Sequence, residues 1–115
     1  MNSKEKAELI CKTLSEKKAM DVIKIDISDK SIIADYFIIA SGKSKPQVKS
    51  LCEYCEEAVE KNGGTIKGKE GLDEARWCVI DFGDVILHIF NDETRLFYNL
   101  ERLWSDGANV EKIEG

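Results

Sequence analysis

A chain of 115 residues, 43% hydrophobic and with a single proline, is long enough for one domain around one core and too apolar to be disordered. No apolar run reaches membrane-spanning length, and the charged start Met1–Ala7 lacks the apolar stretch of a secretory leader, so a cytoplasmic protein is expected. The net charge of −5 argues against a phosphate backbone as direct partner and favours a basic protein surface, although a small domain carries such charge for solubility alone.

Residues 4–17 place Ala7, Ile10, Cys11 and Leu14 at helical spacing between lysines and glutamates, with Asn2 or Ser3 available as a cap. The spacing predicts an amphipathic helix packed on a sheet. Asp21–Ile27 alternates, with Ile23, Ile25 and Ile27 on one face and Lys24 and Asp26 on the other, which predicts a half-buried strand. Ser28–Lys30 is a turn. Ile32–Ala40 is nearly continuous in its hydrophobicity and reads as a central strand covered on both faces. Asp35 within it must sit at an exposed end or bond to backbone, because burying it unpaired costs on the order of several kcal/mol.

Ser41-Gly42 ends that strand, and Ser44 with Gln47 has the spacing of a capping box, with Pro46 in the first turn. Val48, Leu51, Cys52, Cys55, Ala58 and Val59 form the stripe of this second helix, which Asn62-Gly63-Gly64 stops. A strand, a glycine-containing loop and a helix can also cradle phosphate, but S-G-K-S-K-P has one glycine and neither common phosphate fingerprint. Nucleotide binding at Ser41-Gly42-Lys43 is therefore a minor alternative. Thr65–Lys69 reads as a short edge strand, and Glu70–Ala75 as a loop.

Trp77–Phe90 reads as two strands joined at Gly83-Asp84, a favoured two-residue hairpin loop of type II′. That turn sets Phe82 opposite Val85, Ile80 opposite Leu87 and Cys78 opposite Ile89 on a wholly apolar face. The other face pairs Trp77 with Phe90, Val79 with His88 and Asp81 with Ile86. Its mixture of aromatics, histidine and carboxylate points to a surface that meets a partner, or to a face covered by a helix or a second copy. Asn91 or Asp92 would cap a last helix with the stripe Leu96, Phe97, Leu100, Leu103 and Trp104, leaving Ser105–Gly115 to fray. The order αββαβββα makes a single α/β domain over residues 1–115, a mixed sheet packed with helices.

Cys52 and Cys55 lie on the apolar stripe of a helix, while Cys11 and Cys78 sit alone on other elements. A zinc site usually needs a second close pair, and a redox pair usually opens a helix, so all four are read as structural. His88 cannot make a metal site alone and is read as a contact residue or a satisfied surface histidine.

The run A-D-Y-F-I-I-A-S-G (Ala34–Gly42), then Gln47-Val48, Glu70-Gly71, W-C-V-I-D-F-G-D-V-I-L-H-I-F and R-L-F-Y-N-L-E-R-L-W (Arg95–Trp104) resembles the ribosomal silencing factor family, also called RsfS or Iojap. The resemblance implies a non-enzymatic regulator with no cofactor. Such a factor binds the large ribosomal subunit through large-subunit protein L-fourteen and blocks joining with the small subunit in nutrient limitation or stationary phase. Organellar relatives act in large-subunit assembly. It also implies a fold related to nucleotidyltransferases but without their catalytic motif, since Asp81 and Asp84 stand three apart around a hairpin loop and not as D-x-D. The partner face is expected to hold Trp77, Val79, Asp81, Gly83, Asp84, Ile86, His88, Phe90, Tyr98 and Glu70, with Trp77 as anchor and the acids meeting Arg or Lys. No membrane and no direct nucleic-acid contact is expected, and a homodimer of the free protein stays open.

Overall fold

The computed structural model describes residues 1–92, 95 and 99–113, with the backbone alone for Glu101. Helix α1 spans Ser3–Glu16, followed by strands β1 (Met20–Asp26) and β2 (Tyr36–Gly42), helix α2 (Lys45–Lys61), strands β3 (Gly68–Glu70), β4 (Trp77–Asp81) and β5 (Val85–Asn91), helix α3 (Leu100–Trp104) and strand β6 (Val110–Lys112). The strands form one mixed sheet in the order β3-β4-β5-β2-β1-β6. β2 and β5 run parallel, with α2, β3 and β4 between them in the chain, whereas the other neighbours run antiparallel.

Local chemistry fixes the helix starts. Asn2 Oδ1 accepts from the Glu5 N–H while Glu5 Oε1 accepts from the Asn2 N–H, a full capping box. At α2 the Ser44 hydroxyl accepts from the Gln47 N–H, but Gln47 Oε1 accepts from the Lys43 N–H and not from the cap itself. Val48, Leu51, Cys52, Cys55 and Val59 are buried from α2, and Ala7, Ile10, Cys11 and Leu14 from α1. Both stripes press on one face of the sheet against Ile38, Ala40, Cys78, Ile80, Phe82, Val85, Leu87 and Ile89. Each fully buried Leu, Ile or Phe there contributes roughly 1.5–3 kcal/mol.

The opposite face holds a smaller core of Ile23, Ile25, Ile27, Ala34, Ile39 and Phe90, covered in part by Leu100, Trp104 and Val110. The alternation of β1 is as expected: its isoleucines look toward α3, while Val22 joins the main core.

Four expectations differ. β2 begins at Tyr36, and Ile32 and Ile33 lie in the preceding loop, 105% and 75% exposed. The reason is backbone pairing: the Asp35 N–H donates to Asp84 O (2.7 Å) and Asp35 O accepts from the Ile27 N–H (2.8 Å), which ties the chain down before the ladder starts. The edge strand is Gly68–Glu70 and not Thr65–Lys69, because its partners on β4 are Val79–Asp81. Residues 105–113 do not fray. Asp106 Oδ1 accepts from the Ala108 and Asn109 N–H groups, and Asn109 Nδ2 donates to Asp26 O and Trp104 O, so β6 is delivered onto β1. Leu103 is not core but 74% exposed, and Trp104 packs edge-on against Phe37 at 5.1 Å. Leu96, Phe97 and Tyr98 lie outside the described residues.

Candidate protein-docking face

The hairpin takes the expected register: Trp77↔Phe90, Cys78↔Ile89, Val79↔His88, Ile80↔Leu87 and Asp81↔Ile86. Gly83 alone of the loop pair has positive φ (+97°), as a first-position glycine of a type II′ turn requires, and the Phe82 N–H donates to Val85 O at 2.9 Å. Asp81 Oδ1 accepts from the Gly83 N–H at 2.7 Å and so braces the turn.

The face away from α1 and α2 divides in two. On the α3 side, Phe90 and His88 are 1% and 6% exposed. They are not surface contacts, because Phe37, Trp77 and Trp104 close over them: Phe90 stacks with Trp77 (5.3 Å between centroids), and the His88 ring meets Phe37 edge-on (4.9 Å). Burial, with no charged neighbour contributing, lowers the His88 pKa to about 4 and keeps the ring neutral. Its Nδ1 accepts from the Trp77 indole N–H at 3.1 Å.

On the β3 side the face stays open. Trp77, Val79, Asp81 and Ile86 are half-exposed, and Glu70 is exposed. Pairing of Glu70 with Val79 and of Gly68 with Asp81 puts Glu70 on the same face as the hairpin residues, a neighbourhood the sequence could not place. Glu70, Val79, Asp81 and Ile86 line a shallow concavity of about 360 Å³ with Gly68 and Lys69. Asp84 belongs elsewhere: its Oδ1 lies 2.7 Å from Lys6 Nζ on α1. Tyr98, the last of the expected contacts, lies outside the described residues.

Gly71 sets the entry of β4. Its φ is +82°, and a Cβ there would fall 2.1 Å from Trp77 O, so a side chain would push the first residue of β4 out of place. The pair Glu70-Gly71, part of the family resemblance, has a physical reason in this close approach.

The family model described as "Ribosomal silencing factor during starvation" matches residues 1–115. The chain belongs to the ribosomal silencing factor family. That description places the chain among ribosome-associated regulators of translation. A Bacillus subtilis ribosomal silencing factor is 39% identical over 106 residues, covering 92% of this chain and 90% of that one. A mouse protein named for mitochondrial assembly of the ribosomal large subunit is 28% identical over 102 residues but is covered over 44% of its length. A crystal structure of a Chromobacterium violaceum protein superposes with a TM-score of 0.89 at 30% identity, covering all of this chain and 95% of that one.

For this member of the silencing factor family the other readings find little in the geometry. Gly42 serves close packing, since a Cβ there would meet Val48 Cγ2 at 2.9 Å, and the Lys43 N–H is bonded to Gln47. Among the described residues no group of three or more His, Cys, Asp or Glu is placed to hold a metal, and no helix is long and apolar enough to cross a membrane. All four cysteines are buried and free. Burial pushes the Cys11 thiol up to about 12 and the Cys55 thiol up as well, which suits small apolar fillers. Another concavity, about 520 Å³, lies at the β1–β6 edge, where Asp26 and Asp106 are bonded to neighbours within the chain.

Proposed function

We propose that this chain binds the large ribosomal subunit through the open half of the hairpin face, against large-subunit protein L-fourteen, and blocks joining with the small subunit. The observation that supports this most is the composition of the strip that is half-exposed or exposed among the described residues: Trp77, Val79, Ile86, Asp81 and Glu70, an aromatic and aliphatic centre with an acidic margin. Interfaces combine an apolar centre with a polar rim, and a basic ribosomal protein suits carboxylates. Gly83 would act by shaping the turn and Asp84 by tying that turn to Lys6, while His88 and Phe90 would act from behind the surface. Tyr98 stays in the proposed contact set on the resemblance alone.

The test is sedimentation of ribosomal subunits with the wild type and with Trp77→Ala. Comigration of the wild type with large subunits, together with loss of joined ribosomes, supports the reading. Truncation of a buried aromatic anchor weakens binding by roughly 2 kcal/mol or more. A wild-type protein that stays at the top of the gradient overturns it. Sizing the free protein alongside tests whether the same strip pairs with a second copy.

A further inference from the structure

The hydrogen bond between Trp77 and His88 links the half-exposed indole to a ring almost fully withdrawn from water. With Nδ1 accepting, the neutral imidazole carries its proton on Nε2. That Nε2–H is buried and has no partner among the described residues. A donor removed from water without an acceptor costs free energy, and an aliphatic side chain could fill the same space between Phe37 and Trp77 without that cost. What histidine adds at this position is the Nδ1 lone pair, and that lone pair faces the indole.

We propose that His88 is a positioning residue for docking: through Nδ1 it holds the Trp77 indole in the one orientation that the large-subunit partner meets. The proposal rests on the reading that Trp77 anchors the complex. The stack on Phe90, at 22° between planes, sets the plane of the indole, and the bond from its N–H to His88 fixes which edge of that plane is turned inward. A hydrogen bond to one edge selects a single pose, which removes an ordering cost from binding. The imidazole is itself held edge-on by Phe37, and Phe37 by Trp104, so the pose is set by a row of rings from α3 to β4. Protonation of Nδ1 would turn the acceptor into a donor and break the contact. The dry, uncharged setting of His88 keeps it in the accepting form.

The experiment measures large-subunit binding by the wild type, Trp77→Phe, His88→Leu and the double variant, with the indole N–H signals of the full chain read by ¹⁵N NMR. Trp77→Phe assigns the Trp77 signal. Each single variant is expected to bind about five- to tenfold more weakly, and the double variant no more weakly than either, because both remove the same bond. His88→Leu should shift the Trp77 signal and speed its exchange with solvent, and His88→Asn, which restores an acceptor, should recover part of both. Losses that multiply in the double variant, or an indole signal unchanged in His88→Leu, overturn the proposal. Should His88→Leu fail to fold, a folded Trp77→Phe that binds like the wild type overturns it alone. If the wild type does not bind large subunits, the docking reading falls and takes this proposal with it, whatever the NMR shows. If wild type and His88→Leu bind equally, only the positioning role falls.

Discussion

Lys6 and Asp84, seventy-eight residues apart, meet at 2.7 Å where the first turn of α1 crosses the hairpin loop. Lys6 Nζ also donates to Phe82 O at 2.9 Å, and the lysine is 9% exposed. One ammonium group thus ties α1 to two residues, Phe82 and Asp84, of the turn that orients the docking face. Lys6→Met leaves the Phe82 carbonyl without its donor and Asp84 without its counter-charge. The expected loss is about 2 kcal/mol, or a melting temperature lower by roughly 8 °C. A variant that melts with the wild type would show the contact to be incidental. Asp84→Asn keeps a hydrogen-bond acceptor and should lose less.

Gly71→Ala should be among the most damaging single-methyl changes in the chain. The left-handed backbone and the 2.1 Å approach to Trp77 O leave no room for a side chain, so β4 must shift at its first residue. Strain of this kind costs about 1–3 kcal/mol before any repacking. Urea unfolding gives the stability loss, and large-subunit binding should fall further than that loss accounts for, because Trp77 moves.

Stability should decline as the solution is acidified from about pH 6.5 to pH 4. The unfolded chain binds a proton on His88 below its ordinary value near 6.5, whereas the folded chain resists until about 4. The unfolded state therefore holds more protons across this window, so stability rises with pH there and is lost as pH falls. A displacement of this size is worth roughly 3 kcal/mol. Urea melts across the window should show the slope in the wild type and a flatter one in His88→Leu. Asp106 acts in a separate, lower window. Its bond from Lys30 and those from the Ala108 and Asn109 N–H groups hold its pKa down at about 2, so its contribution goes only below its ordinary value near 3.8.

Glu70→Lys should leave the fold intact, because the side chain is exposed on an edge strand. It should weaken large-subunit binding by about tenfold and change the salt dependence, as reversal of a rim charge does. Unchanged binding at low salt would remove Glu70 from the face.

Removing residues 105–115 should cost stability and not be silent. It strips β6 from β1, the Asn109 bond from Asp26 O, and the partial cover that Val110 gives to the second core. Thermal melts of the truncated and full chains would decide this.

The hairpin was legible because Gly83-Asp84 between two alternating runs fixes register, and register assigns every side chain to a face. Which part of that face stays open was not legible. His88 and Phe90 are hidden by Phe37 and Trp104, which arrive from distant strands and helices, and local alternation carries no information about them. Ile32 and Ile33 were misassigned because hydrophobicity alone does not report where backbone pairing begins, which is at Asp35, bonded to Ile27 and Asp84. β6 was missed because three residues hold too little pattern to separate from a polar tail, although Ser105–Asn109 has the composition of a turn. Family resemblance pointed to Glu70, and only the pairing of β3 with β4 explained why it belongs beside Val79.

The parallel contact between β2 and β5 bears on the order in which the chain can assemble. Tyr36–Gly42 must wait for Val85–Asn91 to be made before its inner edge is covered. During synthesis from the N-terminus, α1, β1, β2 and α2 emerge first and present an apolar strand, Ile38, Ile39 and Ala40, with one side unpaired. Any change that delays or loosens the hairpin prolongs that exposure. Hairpin variants should therefore reveal themselves in cells first as insoluble protein, before their folded fraction shows any defect at the ribosome.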